Sequence, residues 1–459
     1  MLNSALHQIQ LYESTKIPTF EVAQAYYNVG KIDESELIIA ELQNNNVTGK
    51  ALKKLNDKIK IQQLQISEGV YDYKSMYEEA QSSFFVKCSN YINPNIEVRQ
   101  IDQSRCGYFA KQKIEIGTIL IAEKSFLFGD YDAQEYQLQI KKKLKDKQVE
   151  QYLLSQKYAE LNEEILIQSS DKEFTFDELT AKCGINTFTA LPRLELEFQA
   201  DSPYYKYPTR LFSGSLINHS CIPNAFWYFI GDIQFIISQK EIQKDEQVLI
   251  TLLSIDHQQQ KCSYDQHPKQ LLELFDYQCQ CEMCLTITDK QRQDLSKLAN
   301  VLDQKMSAIT TKNKATQNEI ESINDISTRA KIIIEDCKGN KTGICYFTCS
   351  LIFALQQNPN IQNLKKALQI EINNLQYYGI NCEQAQRGRL VMLDNVPHQL
   401  NQSVIDRIFS ILTLVKVVNN ASKDLWLKFL GQVFNTITGG CENYKFYLKK
   451  RLAQVGVNQ

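Results

Sequence analysis

Apolar positions at the start of the chain recur at helical spacing. Phe20, Ala23, Tyr26 and Tyr27 mark one run, which Gly30 ends. Ser35, Leu37, Ile38 and Leu42 open a second amphipathic run, and Asn44 to Gly49 reads as a loop. Residues 18–80 therefore predict packed helical hairpins.

From about residue 95 the period shortens. Ile96-Glu97-Val98-Arg99 alternates as a strand does, and Ile116 to Glu123 is strand-like after a turn. Residues 133–180 return to charged helical patterning, including the lysine run Lys141-Lys142-Lys143, which reads as a solvated helix face. Between 210 and 252 come the β-type runs Ala225 to Ile230, Ile233 to Ile237 and Val248 to Leu253. Gly231-Asp232 joins the first two as a hairpin-type turn. After Cys284 the spacing of Ile352, Leu355, Leu364, Leu368, Ile370 and Ile372 suits packed helices to the end. The segment Ile405 to Val418 is the greasiest, but Asp406, Arg407 and Lys416 interrupt it, so it predicts a buried or amphipathic helix.

Composition narrows the setting. A chain of 459 residues suits two or three domains. A net charge of −2 supplies no global attraction to nucleic acid or acidic lipid. No run of about 18 uninterrupted apolar residues predicts a membrane helix. Met1 to His7 lacks the basic-then-apolar order of a secretory signal, so the expectation is a soluble intracellular protein, cytoplasmic or nuclear. Of 13 cysteines, Cys88, Cys106, Cys183, Cys262, Cys337, Cys345, Cys349, Cys382 and Cys441 are scattered and read as small core residues.

The remaining thiols carry chemistry. Cys279, Cys281 and Cys284 form a CxCxxC run. Zinc prefers a tetrahedral thiolate shell, and such close spacing supplies three ligands from one loop. Buried thiols or redox chemistry are the alternatives. As a metal site it needs a fourth ligand from elsewhere, and would be closed and structural. The zinc loop carries Asp276 and Glu282 and no basic patch, which argues against a nucleic-acid-binding module.

Upstream stands Asn218-His219-Ser220-Cys221-Ile222-Pro223-Asn224, which resembles the NHSCxPN signature of SET-domain lysine methyltransferases, while the triple cysteine resembles their post-SET element. Ser104 to Ala110 resembles the GxGxFA start, Ile114 to Gly117 the following I-x-x-G turn, and Asn186-Thr187-Phe188 the N-x-F element. Ile230-Gly231-Asp232 and Glu241 to Glu246 resemble the strand turn and the I-x-x-GEE stretch. The likeness spans about residues 95–285 and is nearest the SMYD-like and tetratricopeptide–SET branches. Residues 125–185 hold one cysteine, Cys183, so no MYND finger is present. Ala23 to Ser35 resembles a tetratricopeptide turn, and an unrelated helical hairpin is the alternative.

The resemblance implies an α+β chain: a SET-type β-fold of short sheets with a zinc-bound post-SET loop, flanked by helical regions. The expected divisions are 1–85 (helical, tetratricopeptide-like), 95–285 (SET domain, helical insert at about 130–185) and 286–459 (C-terminal helices). It implies zinc on Cys221, Cys279, Cys281 and Cys284. It implies S-adenosylmethionine held by Asn186, Asn218 and His219, by backbone at Gly107 and Phe109, and by Tyr277, which can stack on adenine.

The implied activity is methyl transfer to a protein lysine, whose amine must be neutral and is made so by burial. Family members orient that amine with tyrosine hydroxyls, and here the pattern departs. The principal tyrosine position carries Leu252, or Thr251 after a slip of one residue; the second aromatic falls at Phe275, and Arg105 replaces the first glycine. Losing one preorganised polar group costs on the order of 10²–10³ in rate. Tyr264, Tyr277 and Tyr228 are candidates to supply a hydroxyl from another direction. The alternative is a catalytically degenerate SET protein serving as scaffold or structural subunit of a larger assembly, conceivably cytoskeletal or ciliary. The expected partners are a protein substrate or assembly partner, with no nucleic acid and no membrane.

Overall fold

A computed structural model describes residues 2–28, 31–82, 86–101, 106–124, 127–129, 187–189, 209–211, 217–251, 279–338, 342–393, 400, 402–438 and 444–457. The N-terminal helices are α1 (Leu2–Thr15), α2 (Phe20–Asn28), α3 (Ile32–Asn44), α4 (Lys50–Glu68) and α5 (Tyr73–Ser82). Val22, Ala23 and Tyr26 of α2 pack on Ile38, Ile39 and Leu42 of α3. The small Ala23 lets the helices close, and Ser35 Oγ donates to the Ala23 carbonyl at 2.7 Å. Leu37 departs from expectation: it is 64% exposed, because Ile38 and Ile39 take the inward face of α3. Gly30 lies outside the described residues.

Helix α4 stops at Gly69, whose φ of 65° is left-handed. A Cβ there would strike the Tyr91 ring at 2.5 Å, so the glycine also allows the helix end to seat on the sheet. Gln65 strengthens that seat by accepting the Ser89 N–H at 2.8 Å.

The strands are β1 (Tyr91–Ile92), β2 (Ile96–Gln100), β3 (Cys106–Ala110), β4 (Ile119–Lys124), β5 (Leu127–Gly129), β6 (Thr187–Thr189), β7 (Thr209–Leu211), β8 (Asn218–His219), β9 (Ala225–Ile230), β10 (Ile233–Ser238) and β11 (Leu249–Ile250). They form an antiparallel sheet β1-β4-β10-β9, a hairpin β2-β3, a three-stranded sheet β5-β7-β6 and a short parallel pair β11-β8. β9 and β10 meet at Gly231-Asp232, with Ile230 paired to Ile233. Gly231 alone takes positive φ, 57°, as the first central residue of a II′ turn does.

Two expected strands are shorter than their apolar runs. β4 begins at Ile119, because Gly117 turns at φ 83° and Thr118 N–H bonds back to Glu115. The run Val248 to Leu253 yields only Leu249–Ile250 among the described residues.

β10 is buried throughout because both faces are covered. Ile233, Phe235 and Ile237 pack with Tyr71 and Tyr77 and with Trp426 and Phe429 of the C-terminal helices. Ile236, Ile121 and Phe229 pack on the other side with Ile96 and Tyr108 of the β2-β3 hairpin.

After the sheets come α6 (Glu282–Thr286), α7 (Asp289–Lys312), α8 (Gln317–Asp336), α9 (Thr342–Gln356), α10 (Ile361–Asn374), α11 (Cys382–Gln386), α12 (Gln402–Val418), α13 (Lys423–Thr438), α14 (Tyr444–Tyr447) and α15 (Lys449–Gln454). Capping boxes at Thr288/Gln291 and Thr316/Glu319 start α7 and α8. Of the scattered thiols, Cys337 and Cys345 are buried, whereas Cys88, Cys349 and Cys382 are half-buried. Among the described residues no helix is long and apolar enough to cross a membrane. The charged stretch at 133–180 lies outside the described residues.

Candidate functional site

Three chain segments converge at one place. β8 lies parallel to β11, with Asn218 opposite Leu249 and His219 opposite Ile250. Ser220 N–H extends the pairing to the Ile250 carbonyl at 2.8 Å. β3 comes alongside, with Val248 N–H donating to the Tyr108 carbonyl at 2.8 Å and Ala110 N–H to the Glu246 carbonyl at 3.0 Å.

Asn224 ties the loop after β8 to this arrangement. Its Nδ2 donates to Glu246 Oε1 at 2.9 Å and to the Gln247 carbonyl at 2.8 Å, and its Oδ1 accepts the Leu249 N–H at 2.8 Å. Gln239 Nε2 supports the neighbouring Pro223 carbonyl at 2.7 Å. The Trp227 indole N–H donates to the Thr251 carbonyl at 2.9 Å, just beyond β11. Asp245 makes the tight turn before Glu246 at φ 64° and pairs with Arg99 at 2.7 Å.

Gly107 faces the centre of the convergence. A Cβ there would lie 2.5 Å from Gln247 Nε2 and 2.8 Å from Asn218 Nδ2. A side chain there would push both amides from their present places. Gln247 Nε2 is buried and makes no hydrogen bond among the described residues. Phe109, half-buried, lies under the Arg99 guanidinium at 5.4 Å. Burial, aided by Glu123, pushes the Tyr108 phenol up to about 12.

The structure thus brings Gly107 and Asn218 together, with Phe109 bridged to Gln247 in the same layer. Asn186, Tyr277, Leu252, Phe275 and Tyr264 lie outside the described residues. Tyr228 stacks on Phe235 in the core on the far face of the sheet. Gln247 and Trp227 carried no sequence signal of a role here. Asn224 closed the quoted signature, yet its bonding depends on a strand more than twenty residues on.

The thiols form a second cluster beside β8. One ligand atom each from Cys221, Cys279, Cys281 and Cys284 lies within 4.8 Å of the others. Cys221 Sγ is 3.8 Å from Cys279 Sγ and 3.3 Å from Cys284 Sγ. A tetrahedral zinc with bonds of about 2.3 Å places its sulfurs about 3.8 Å apart. Disulfide-bonded sulfurs would lie at about 2.05 Å, and all four cysteines are free.

Sulfurs this close share protons, and their titration belongs to the cluster. Hydrogen bonding from Cys221 draws the Cys279 thiol down and the Cys281 thiol to about 6. Hydrogen bonding with Cys279 pushes Cys221 up. A divalent cation would replace those protons and satisfy all four as thiolates. The ligand loop is seated in the helical layer: Cys221, Met283 and Ile287 pack with Leu295 and Leu298. Arg292 donates to the Cys284 carbonyl at 3.3 Å and Thr286 Oγ1 to the Cys337 carbonyl at 2.9 Å.

Residues 105–251 match the SET domain family model. The chain is 22% identical over 262 residues to a methyltransferase of Gibberella zeae, covering 49% of this chain and 36% of that protein. It is 35% identical over 68 residues to SET domain and MYND-type zinc finger protein 6 of Schizosaccharomyces pombe, covering 15% of this chain and 13% of that protein. The chain therefore spans well under half the length of these curated relatives. Among solved structures, the SET domain of LSMT bound to lysine and AdoHcy aligns with a TM-score of 0.23 and 11% identity, covering 84% of this chain and 96% of that one.

Proposed function

Given that this chain is a SET-domain protein, we propose that it binds S-adenosylmethionine and transfers the methyl group to a lysine of a protein substrate. The observation that carries the reading is the closeness of Gly107 to Asn218 and Gln247. An amino-acid ligand has a carboxylate and an ammonium group to satisfy. The bare β3 backbone at Gly107, the Asn218 amide and Gln247 Nε2, which has no partner among the described residues, are polar groups of the kind that hold such ends. The cofactor supplies an electrophilic methyl on a sulfonium. On this reading Gly107, Phe109 and Asn218 bind it from the described layer, Asn186 and Tyr277 complete the pocket, and the β8–β11 pair excludes water. Zinc on Cys221, Cys279, Cys281 and Cys284 is structural, tying the ligand loop to β8. Residues 95–285 then act as the SET unit between helical regions at 1–85 and 286–459.

Leu252 favours a second reading, a degenerate SET protein that retains the pocket as a scaffold, because no phenol stands at the principal tyrosine position. One experiment separates them. The purified chain is titrated with S-adenosylmethionine and then incubated with the labelled cofactor and fractionated cell proteins. Saturable binding with label on lysine, both lost in Asn218→Ala, supports the transferase. Binding without label supports the scaffold, and no binding overturns the cofactor assignment in both.

A further inference from the structure

His219 stands beside Asn218 in a strand of two residues, and neighbouring strand residues face opposite ways. The Asn218 amide lies against Gly107. The His219 ring lies on the thiol side, with Nε2 3.5 Å from Cys221 Sγ. His219 is 1% exposed and Cys221 is also buried, so the contact is made away from solvent. The strand that carries the ring is fixed, because the β8 backbone is paired with Ile250 through His219 and through the Ser220 N–H.

Cys221 is the one member of the thiol quartet outside the CxCxxC run, 58 residues before Cys279. It follows β8 directly, and the His219 side chain also hydrogen-bonds Cys279 of the run. Four thiolates around a divalent metal leave net negative charge on the sulfurs, and outer N–H donors offset that charge and fix the sulfur's direction.

We propose that His219 is an outer-shell positioning residue of the metal site, donating its Nε2–H to the Cys221 sulfur and so joining the metal to the strand that carries Asn218. This rests on zinc at the four thiols and not on methyl transfer. This role takes the place of the cofactor contact that the resemblance implied for His219, whose ring faces the thiols. The metal holds Cys221, Cys221 holds the His219 ring, and the ring sets how β8 presents Asn218 to Gly107.

The test uses the full chain as wild type, His219→Ala, His219→Gln and His219→Met. Zinc affinity is read by competition with a chromophoric chelator, and the thiolate-to-metal charge-transfer band is read after substitution with cobalt(II). Loss of an outer-shell partner weakens metal binding by roughly 10–100-fold. His219→Ala should show that loss with a shifted cobalt band. His219→Gln, whose amide N–H can take the place of Nε2–H, should recover most of both. Unchanged affinity and spectrum in His219→Ala would overturn the inference. So would a His219→Gln protein as weak as His219→Ala, since volume alone would then explain the effect. If His219→Ala does not fold, Gln against Met reads the same contrast between a donor and an apolar chain of similar size. A wild-type chain that takes up no zinc would contradict the metal assignment itself, before any variant is compared.

Discussion

Asn224 Oδ1 accepts the backbone N–H of Leu249 at 2.8 Å. The same amide donates to Glu246 Oε1 and to the Gln247 carbonyl, so one side chain satisfies the segment leading into β11. Asn224→Ala leaves the Leu249 N–H and the Gln247 carbonyl without this partner in a partly buried setting, which costs about 1–2 kcal/mol. Denaturant unfolding should show a lower midpoint at unchanged slope, the product of slope and shift giving that loss. An unchanged midpoint would mean that water or another group takes over.

Chelation offers a separate handle on the thiol quartet. Excess chelator should lower the Tm, and stoichiometric zinc should restore it. With free zinc about 100-fold above its Kd, the linkage is worth about 2.7 kcal/mol. Cys281→Ser should remove most of the response, because Cys281 belongs to the cluster whose ligand atoms lie within 4.8 Å. A wild-type Tm indifferent to chelator and zinc alike would contradict a structural metal.

A buried ion pair lies far from the site. Arg407 Nη1 is 3.0 Å from Glu371 Oε1, and the Glu371 side chain is almost wholly enclosed. Burial raises the Glu371 carboxyl, and Arg407 opposes that shift. Glu371→Ala leaves the guanidinium with Cys349 Sγ but no carboxylate and should cost about 3 kcal/mol. The double replacement Glu371→Leu with Arg407→Met should recover most of that loss, read by chemical denaturation.

Alkali should act on buried hydroxyl and thiol groups. The Tyr108 phenol and the Cys88 thiol are both raised to about 12, chiefly by burial. The folded chain holds these protons more tightly than the unfolded chain. Their contribution is complete below the ordinary values, about 10 and 9, and declines as pH rises toward about 12. Tyr108→Phe should flatten part of the decline between about pH 10 and 12 in a stability–pH series. An identical curve would place its phenol in water.

How far the sequence disclosed this architecture varies by element. The hairpin of β9 and β10 was legible because two apolar runs flank Gly231-Asp232, whose geometry needs no distant partner. α12 was legible for a similar reason: three charged residues punctuate a greasy run whose Ile405, Ile408 and Leu412 point inward. β4 was over-read at its start, where Gly117 sets the limit, and the end of the run Val248 to Leu253 lies outside the described residues. α1 left little trace, since Ile9 is its buried apolar residue among the side chains described. Gln234 is hidden differently: a fully buried amide with no partner among the described residues sits inside a strand that hydrophobic pattern alone would assign. At the site, spacing indicated thiol ligands and resemblance pointed to Asn218 and Gly107. The roles of Gln247 and Asn224, and the turn of His219 toward Cys221, arise from pairing between segments distant in the chain.

The central claim is that the meeting of Gly107, Asn218 and Gln247 holds S-adenosylmethionine. Isothermal titration of the zinc-loaded full chain with that cofactor, wild type against Gly107→Val, tests it most directly. A side chain at 107 would fill the space beside both amides. The account predicts saturable one-to-one binding by the wild type and a loss of at least about tenfold, 1.4 kcal/mol, in a Gly107→Val protein that keeps its zinc. A wild-type chain that binds no cofactor, or a Gly107→Val chain that binds it equally well, would contradict it.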